Sequence, residues 1–184
     1  MAAPTARMIA GLLASIAVVG GCTERPKAPP LINEAVYQYE LIGLRFLTPE
    51  GWSITSRSTL PPGPLTKPMM LVAYHEKQGE HPAAFELLAV DLPEDTDMGK
   101  YLLENRLGKG LWTIKSPAEK ITVNEAEATR YLLSQQEGKT EHLREATVFR
   151  RAGRVYLFIA SFAPTDLGSR DQVRRSIESV TWTK

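Results

Sequence analysis

Hydrophobic and polar residues follow two different patterns along the chain, one at the amino end and another from about residue 37 onward. Residues 8–19 form one apolar stretch that ends at Gly20 and Gly21. This stretch is shorter than the ~20 apolar residues that a spanning helix needs. From residue 37, apolar residues alternate with more polar neighbours, which is the period of a strand. The two patterns predict a targeting segment followed by a domain that begins with strands.

The first half of that domain reads as short strands broken by turns. Two strands are expected between Tyr37 and Leu47, and residues 46–54 indicate strand, tight turn and strand around Pro49, Glu50 and Gly51. Pro61 to Pro68 contains four prolines within a few residues of one another, so no helix or central strand passes through it. Residues 70–74 and 85–92 are apolar enough to form buried strands.

The second half has a more regular pattern of extended segments. They cover residues 120–123, 126–135, 140–150 and 155–163, with turn residues between them, and consecutive hairpins are the simplest interpretation. In the last segment Val155 and Leu157 point to one face and Tyr156 and Phe158 to the other, so both faces are apolar. This predicts a central strand with a layer on each side of the sheet.

Two segments have helical periodicity instead. The first runs from Asp97 to Leu107, and Asp95 or Asp97 is expected near its amino end, where a carboxylate interacts favourably with the helix dipole. The alternative interpretation is that these acids, together with Glu94, form a calcium site. The second helix is expected over residues 169–180, with Val173, Ile177 and Val180 on one face and its arginines facing away.

The amino-terminal segment has the features of a secretory signal. Arg7 is the only charged residue before Glu24, and it precedes the apolar stretch. The run Val19, Gly20, Gly21, Cys22 resembles the lipobox of bacterial lipoproteins, which implies acylation of Cys22, with palmitate or a similar chain, as the first mature residue. Cys22 is also the only cysteine of the chain, so it cannot form an intramolecular disulfide. An ordinary secretory signal and a cytosolic chain with an apolar start remain the alternatives.

The chain therefore divides into residues 1–21 as signal peptide, 22–36 as lipidated cysteine and proline-rich tether, and 37–184 as a single domain. The tether is assigned from Pro26, Pro29 and Pro30, which keep a chain extended. The chain has 22 Lys and Arg, one of them in the signal peptide, against 21 Asp and Glu, so the mature protein is formally neutral. Nonspecific nucleic-acid binding requires a basic excess and is not expected.

The order of elements in residues 37–182 resembles that of PsbP-like domains, the family of the extrinsic photosystem II subunit and of a small nuclear-transport factor that binds the GTPase Ran. The resemblance rests on the run from Phe46 to Trp52, the meander that ends in residues 156–162, and the closing helix with Ser176 to Trp182. It implies an α+β fold with an antiparallel sheet sandwiched between helices. It also implies a noncatalytic, partner-binding use, and it does not transfer a photosynthetic role.

Motifs for catalysis are incomplete. His75 and Glu76 begin like the zinc-protease motif H-E-x-x-H, but Gly79 occupies the position of the second histidine. His81 and Glu80 lie nearby, and a solvated loop is favoured over a metal site because zinc needs three or four positioned ligands. His142 is expected at the surface or at a sheet edge. We expect no catalytic residue, no metal and no cofactor.

Basic side chains concentrate near the carboxyl end and are the candidate partner-binding residues. They are Arg150, Arg151, Arg154, Arg170, Arg174 and Arg175, with Arg144 close by. If these side chains converge into one patch, the patch would bind anionic lipid, glycan or an acidic partner. The alternative is that they lie on ordinary solvated faces of a strand pair and a helix. The loop of residues 61–68, with Met69 and Met70, is either a second, apolar contact surface or a covered connection.

Together these patterns predict an extracytoplasmic lipoprotein that acts as a noncatalytic binding or assembly module. Its partners would be the membrane, through the lipid, and an envelope protein, glycan or lipid, with no nucleic acid. Thr23 follows the cysteine where many bacteria place an Asp for inner-membrane retention, so the resemblance implies the outer membrane in a cell with two membranes, facing the periplasm or the exterior. The alternative function is a small metal-dependent hydrolase that uses His75, His81 and nearby acids.

Overall fold

The computed structural model describes residues 35–76, 82–105 and 111–183, all within one unit of the chain, Asn33–Lys184. The described residues form an α+β fold, as predicted. The strands are β1 (Val36–Tyr39), β2 (Leu44–Leu47), β3 (Ser53–Arg57), β4 (Met69–His75), β5 (Ala84–Asp91), β6 (Thr113–Ile114), β7 (Glu119–Val123), β8 (Ala126–Glu137), β9 (Thr140–Arg151), β10 (Arg154–Phe162) and β11 (Thr181–Trp182). The helices are α1 (Met98–Glu104) and α2 (Leu167–Glu178).

The strands form two antiparallel sheets. The large sheet has the order β3-β4-β5-β10-β9-β8-β6, and β7 also pairs with β8, whereas the small sheet has the order β1-β2-β11. The segment from residue 46 to 54 is strand, turn and strand as expected, but β2 and β3 belong to different sheets and do not pair. The chain turns there at Gly51, whose φ of 76° is in the left-handed region.

Strand β10 is central, as its two apolar faces predicted. It pairs with β5 on one side and with β9 on the other. Tyr156 and Phe158 contribute to one hydrophobic core and Val155, Leu157 and Ile159 to a second core on the opposite face. All five side chains are buried, and each contributes about 1.5–3 kcal/mol to the stability of the fold.

A layer of structure covers each face of the large sheet, which confirms the predicted sandwich. On one face lie α2, through Val173 and Ile177, and the small sheet, through Phe46. The Phe46 ring packs edge-on against Phe158, with ring centroids 5.5 Å apart. On the other face α1 contributes Met98, Tyr101 and Leu102 to the second core. Asp97 caps α1 by accepting a hydrogen bond from the Lys100 amide at 3.1 Å.

A hairpin turn connects the large sheet to the end of α2. Asn124 and Glu125, between β7 and β8, have φ angles of 44° and 70°, as a two-residue type I′ turn requires. The Asn124 side-chain amide donates to the backbone oxygens of Glu178 and Val180, at 3.1 and 2.9 Å. Asparagine therefore both tolerates the left-handed backbone and satisfies carbonyls at the carboxyl end of the helix.

Several sequence-based predictions fall outside the described residues. These are the signal peptide, Cys22, the tether up to residue 34, and His81 with Glu80 and Gly79. Among the residues that are described, no helix has the length and apolar character needed to cross a membrane. The loop from residue 61 to 68 is described and is mostly exposed; within it Leu65 is buried and exchanges hydrogen bonds with Asp91.

Candidate functional site

A buried carboxylate lies between α2 and the large sheet. Glu145 is on β9, its side chain is 2% exposed, and it points to the face that α2 covers. Arg174 binds both of its oxygens, Nε to Oε1 at 3.0 Å and Nη2 to Oε2 at 2.7 Å. Arg170, one helical turn earlier, donates Nε and Nη2 to Oε2 at 3.3 and 3.2 Å. The expectation that the arginines of this helix face away is therefore wrong for Arg170 and Arg174, whose long side chains reach the sheet and converge on one buried acid.

A third guanidinium approaches Glu145 from the sheet. Arg130 on β8 places its Nε 3.4 Å from Oε1 of Glu145 and its Nη1 3.3 Å from Oε2 of Glu119. Burial by itself would raise the pKa of Glu145, but the hydrogen bonds from Arg174 and the charges of the three arginines hold that pKa below its ordinary value. The carboxylate is therefore ionised at neutral pH.

An open cavity adjoins this cluster, and we refer to it as the Glu145 cavity. Its volume is about 160 Å³. The lining residues are Ser116, Pro117, Glu119, Arg130, Leu132, Glu145, Arg170 and Arg174. It opens between α2 and the segment that precedes β7. Three of its lining side chains are guanidiniums and two are carboxylates, so the lining has a net positive charge, which favours an anionic occupant.

A second cavity, which we call the α2 groove, lies along another side of the same helix. Its volume is about 390 Å³, and it is bounded by residues 47–52 and by Gln172, Arg175 and Ser176 of α2. Arg175 is exposed and donates its Nε to the carbonyl of Asp171 in its own helix. Oε1 of Gln172 is buried and has no hydrogen-bond partner among the described residues. The groove thus offers one cation and one buried acceptor.

The other three candidate arginines lie around the turn between β9 and β10. Arg150 donates to the carbonyls of Pro93 and Thr96 at 3.0 and 3.1 Å. Arg151 lies over the ring of Trp182 at 5.3 Å. Arg154 forms a two-pronged ion pair with Asp91, at 2.5 and 3.0 Å. These side chains mainly hold neighbouring segments in place.

The Arg154–Asp91 pair also changes the ionisation of its members. The hydrogen bond from Arg154 lowers the pKa of Asp91, and the same bond raises the pKa of Arg154.

The six candidate arginines thus lie in two regions, beside the two cavities at α2 and around the β9–β10 turn. Their use in partner binding remains a prediction.

Of the two histidines behind the hydrolase alternative, His75 and His81, only His75 is described, and it has another contact. His75 ends β4, and its Nδ1 is 2.8 Å from the hydroxyl of Thr55. Nε2 of His142 lies 3.6 Å from a carboxylate oxygen of Glu137. Within the described ranges no group of three His, Cys, Asp or Glu side chains is placed to hold a metal ion. His81 is outside those ranges.

Glu145 and Arg130 were not identified in the sequence. Residues 143–149 are all buried in the structure, and a fully buried charged residue needs a partner of opposite charge. The sequence of this segment gives no such signal, because charged, polar and apolar residues are mixed along it. The partners could not be predicted either, because they come from a different strand and a helix.

Comparison with known proteins identifies structures but no sequence family. No protein-family model matches the chain, and no curated protein matches it in sequence. The solution structure of CyanoP, the cyanobacterial PsbP of Synechocystis sp. PCC 6803, is similar with a TM-score of 0.57 and 15% identity, covering 90% of this chain and 99% of that one. LpqN, involved in cell envelope biogenesis of Mycobacterium tuberculosis, is similar with a TM-score of 0.52 and 13% identity, covering 83% and 86%. At these identities the likeness establishes the fold alone.

Proposed function

We propose that this chain, whose domain has the PsbP-like fold, is a lipid-anchored protein of the cell envelope that binds an anionic partner without catalysing a reaction. The proposal rests on the two cavities beside α2. Two cavities flank this helix, and each is lined by at least one guanidinium from it, Arg175 in the α2 groove and Arg170 with Arg174 in the Glu145 cavity. Guanidinium groups recognise carboxylates and phosphates through paired hydrogen bonds.

The amino-terminal sequence supports the anchoring part of the proposal. One basic residue, a short apolar stretch and a small-residue run before Cys22 agree with lipoprotein processing. Stable attachment requires more than one acyl chain, because each buried CH₂ contributes only ~0.8 kcal/mol. The name of the similar LpqN structure, which refers to cell envelope biogenesis, is consistent with an envelope location.

The ionisable groups of the domain support binding over catalysis. Catalytic acids and bases are usually groups with shifted pKa values that face a cleft. Among the described residues, the two carboxyls with lowered pKa values are Glu145 and Asp91, and each is neutralised by arginine. Burial in the core raises the pKa of Tyr37 to about 12, and that of Tyr74 further still. These shifts are explained by packing and by ion pairs.

A photo-crosslinking experiment in the native cell tests the binding face. A photoreactive amino acid replaces Glu50, which is exposed and lines the α2 groove, so Arg175 stays in place. The matched control replaces Lys139, which is exposed in the loop between β8 and β9. We expect a discrete adduct from position 50 and none from position 139. Equal labelling from both positions would contradict the proposed face.

A further inference from the structure

We propose that the Glu145 cavity is a binding site for a phosphate group, held by the guanidiniums of Arg130, Arg170 and Arg174. The inference deepens the binding role proposed above and rests on it for its biological meaning. The binding itself can be measured on the purified chain without any partner. Three features of the cavity carry the inference: its unused donors, its charge and its size.

The carboxylate of Glu145 cannot use all the donors that surround it. A carboxylate has about four acceptor sites, whereas each guanidinium offers five N–H donors. Glu145 already receives four hydrogen bonds from Arg170 and Arg174, together with the ion pair to Arg130. Each guanidinium keeps one terminal nitrogen without a partner among the described residues: Nη2 of Arg130 and Nη1 of Arg170 and of Arg174.

The side chains that line the cavity carry a net positive charge. They include three guanidiniums and two carboxylates, Glu145 and Glu119, and the Glu119 side chain is 61% exposed, so solvent weakens its effect. Asp171 acts on Arg174 from outside this lining. The Arg130 side chain is only 12% exposed, and its buried Nε has no hydrogen-bond partner among the described residues, although Glu145 lies 3.4 Å away. A bound anion would complete the neutralisation from the open side.

The size and chemistry of the cavity indicate which kind of ligand fits it. A volume of about 160 Å³ holds several water molecules, each of about 30 Å³ in the liquid. Pockets for whole drug-sized ligands begin at about 300 Å³. The cavity therefore fits a phosphate-sized group. Planar guanidinium forks match the oxygens of phosphate, and the hydroxyl of Ser116 on the opposite wall adds a further donor.

Two sources can supply this group, free inorganic phosphate and the headgroup of a phospholipid. Both are tested by isothermal titration of the full-length chain purified in detergent, with inorganic phosphate as one probe and soluble dihexanoyl phosphatidylglycerol as the other. Chloride at equal ionic strength is the control, because phosphate salts also stabilise folded proteins by exclusion from their surface. Binding to the lipid probe alone assigns the site to a headgroup, and binding to both assigns it to the phosphate group itself.

Substitutions at Ser116 give matched variants that do not touch the Glu145 ion pairs. Ser116→Asp places a negative charge on the cavity wall, and Ser116→Asn has nearly the same shape without the charge. We expect at least tenfold weaker phosphate binding for Ser116→Asp and a change of less than twofold for Ser116→Asn. Arg130→Gln is a second variant that removes one guanidinium, and it should weaken binding at least fivefold.

The proposal is overturned if neither probe binds the wild-type chain, or if all variants bind as tightly as wild type. Either result would leave the proposed binding function standing, since that function is tested by the crosslink from position 50 in the α2 groove. Conversely, absence of that crosslink with intact phosphate binding would remove the partner face and keep this site.

Discussion

At the scale of single residues, the most consequential side chain is Glu145. It is a buried charge that links a helix to the sheet through Arg170 and Arg174 and to a neighbouring strand through Arg130. A buried ion pair stabilises a fold only modestly compared with an apolar contact of the same size, but removing one partner leaves the others uncompensated. The cluster therefore fixes the position of α2 more than it adds to total stability.

Neutralising this carboxylate should destabilise the domain. We expect Glu145→Gln to lower the free energy of unfolding by about 3 kcal/mol at neutral pH, near the lower end of the range for broken buried pairs because the arginines are partly exposed. Glu119→Gln is the matched control, and its side chain is exposed, so its effect should stay below about 1 kcal/mol. Urea unfolding followed by circular dichroism measures both changes.

The same residue makes the stability depend on pH. Because the pKa of Glu145 is lower in the folded protein than its ordinary value of 4.5, its ionised form stabilises the fold above that value. This contribution is lost as the pH falls below 4.5 and through the lowered folded-state pKa. The stability difference between wild type and Glu145→Gln should therefore be constant near pH 7 and shrink under acid. A difference that grows on acidification would contradict this assignment.

At the scale of elements, β10 organises the molecule because it carries a hydrophobic core on each face. Leu157 faces the core beneath α1, and Phe158 faces the core beneath α2 and the small sheet. Both side chains are completely buried. Neighbouring residues of one strand thus hold opposite layers of the sandwich.

A charge on either face of β10 should prevent folding. Leu157→Asp and Phe158→Asp each bury a carboxylate without a partner, and the cost of several kcal/mol is comparable with a total stability of ~5–15 kcal/mol. Ile54→Asp on the edge strand β3 is the control, since Ile54 is more than half exposed and should tolerate the change. Thermal unfolding monitors all three. If one β10 variant melts like wild type, the face concerned is not a core.

The elements also show what the sequence could predict. The strands from β7 to β10 follow from extended segments between turn residues, and α2 follows from the spacing of Val173 and Ile177, although it ends at Glu178 and not at residue 180. In contrast, β6 and β11 have two residues each, which is too short for any periodicity. Strands β1 and β2 of the small sheet were expected, whereas its third strand, β11, was missed for that reason. The Glu145 cluster was missed because its members come together only through the tertiary fold.

At the scale of the whole molecule, the domain is a layered structure with one eight-stranded and one three-stranded antiparallel sheet, and its hairpin at Asn124 holds the end of α2. Such a scaffold can present a rigid helix and its two flanking cavities to a partner. The lipid would keep that surface close to the membrane.

Anchoring is expected to depend on a single atom, the sulfur of Cys22. Replacing Cys22 with Ser removes the acylation site, so the variant should carry no labelled acyl chain and, once cleaved by another signal peptidase, should fractionate as a soluble protein. Thr23→Ser is the control and should remain lipidated. Metabolic labelling with a fatty-acid analogue followed by fractionation measures this. Acyl label on the Ser variant in the membrane would contradict anchoring at residue 22.

The central claim is that the protein acts by contact and not by catalysis, and complementation of a deletion strain tests it most directly. The measurement is the cellular phenotype restored by a variant in which His75, His81 and His142 are all replaced by Gln, with expression, folding and anchoring verified. The account predicts full restoration by this variant and loss of function for Arg175→Glu. A triple variant that is folded and anchored, yet as defective as the deletion, would contradict the account and favour a histidine-dependent enzyme.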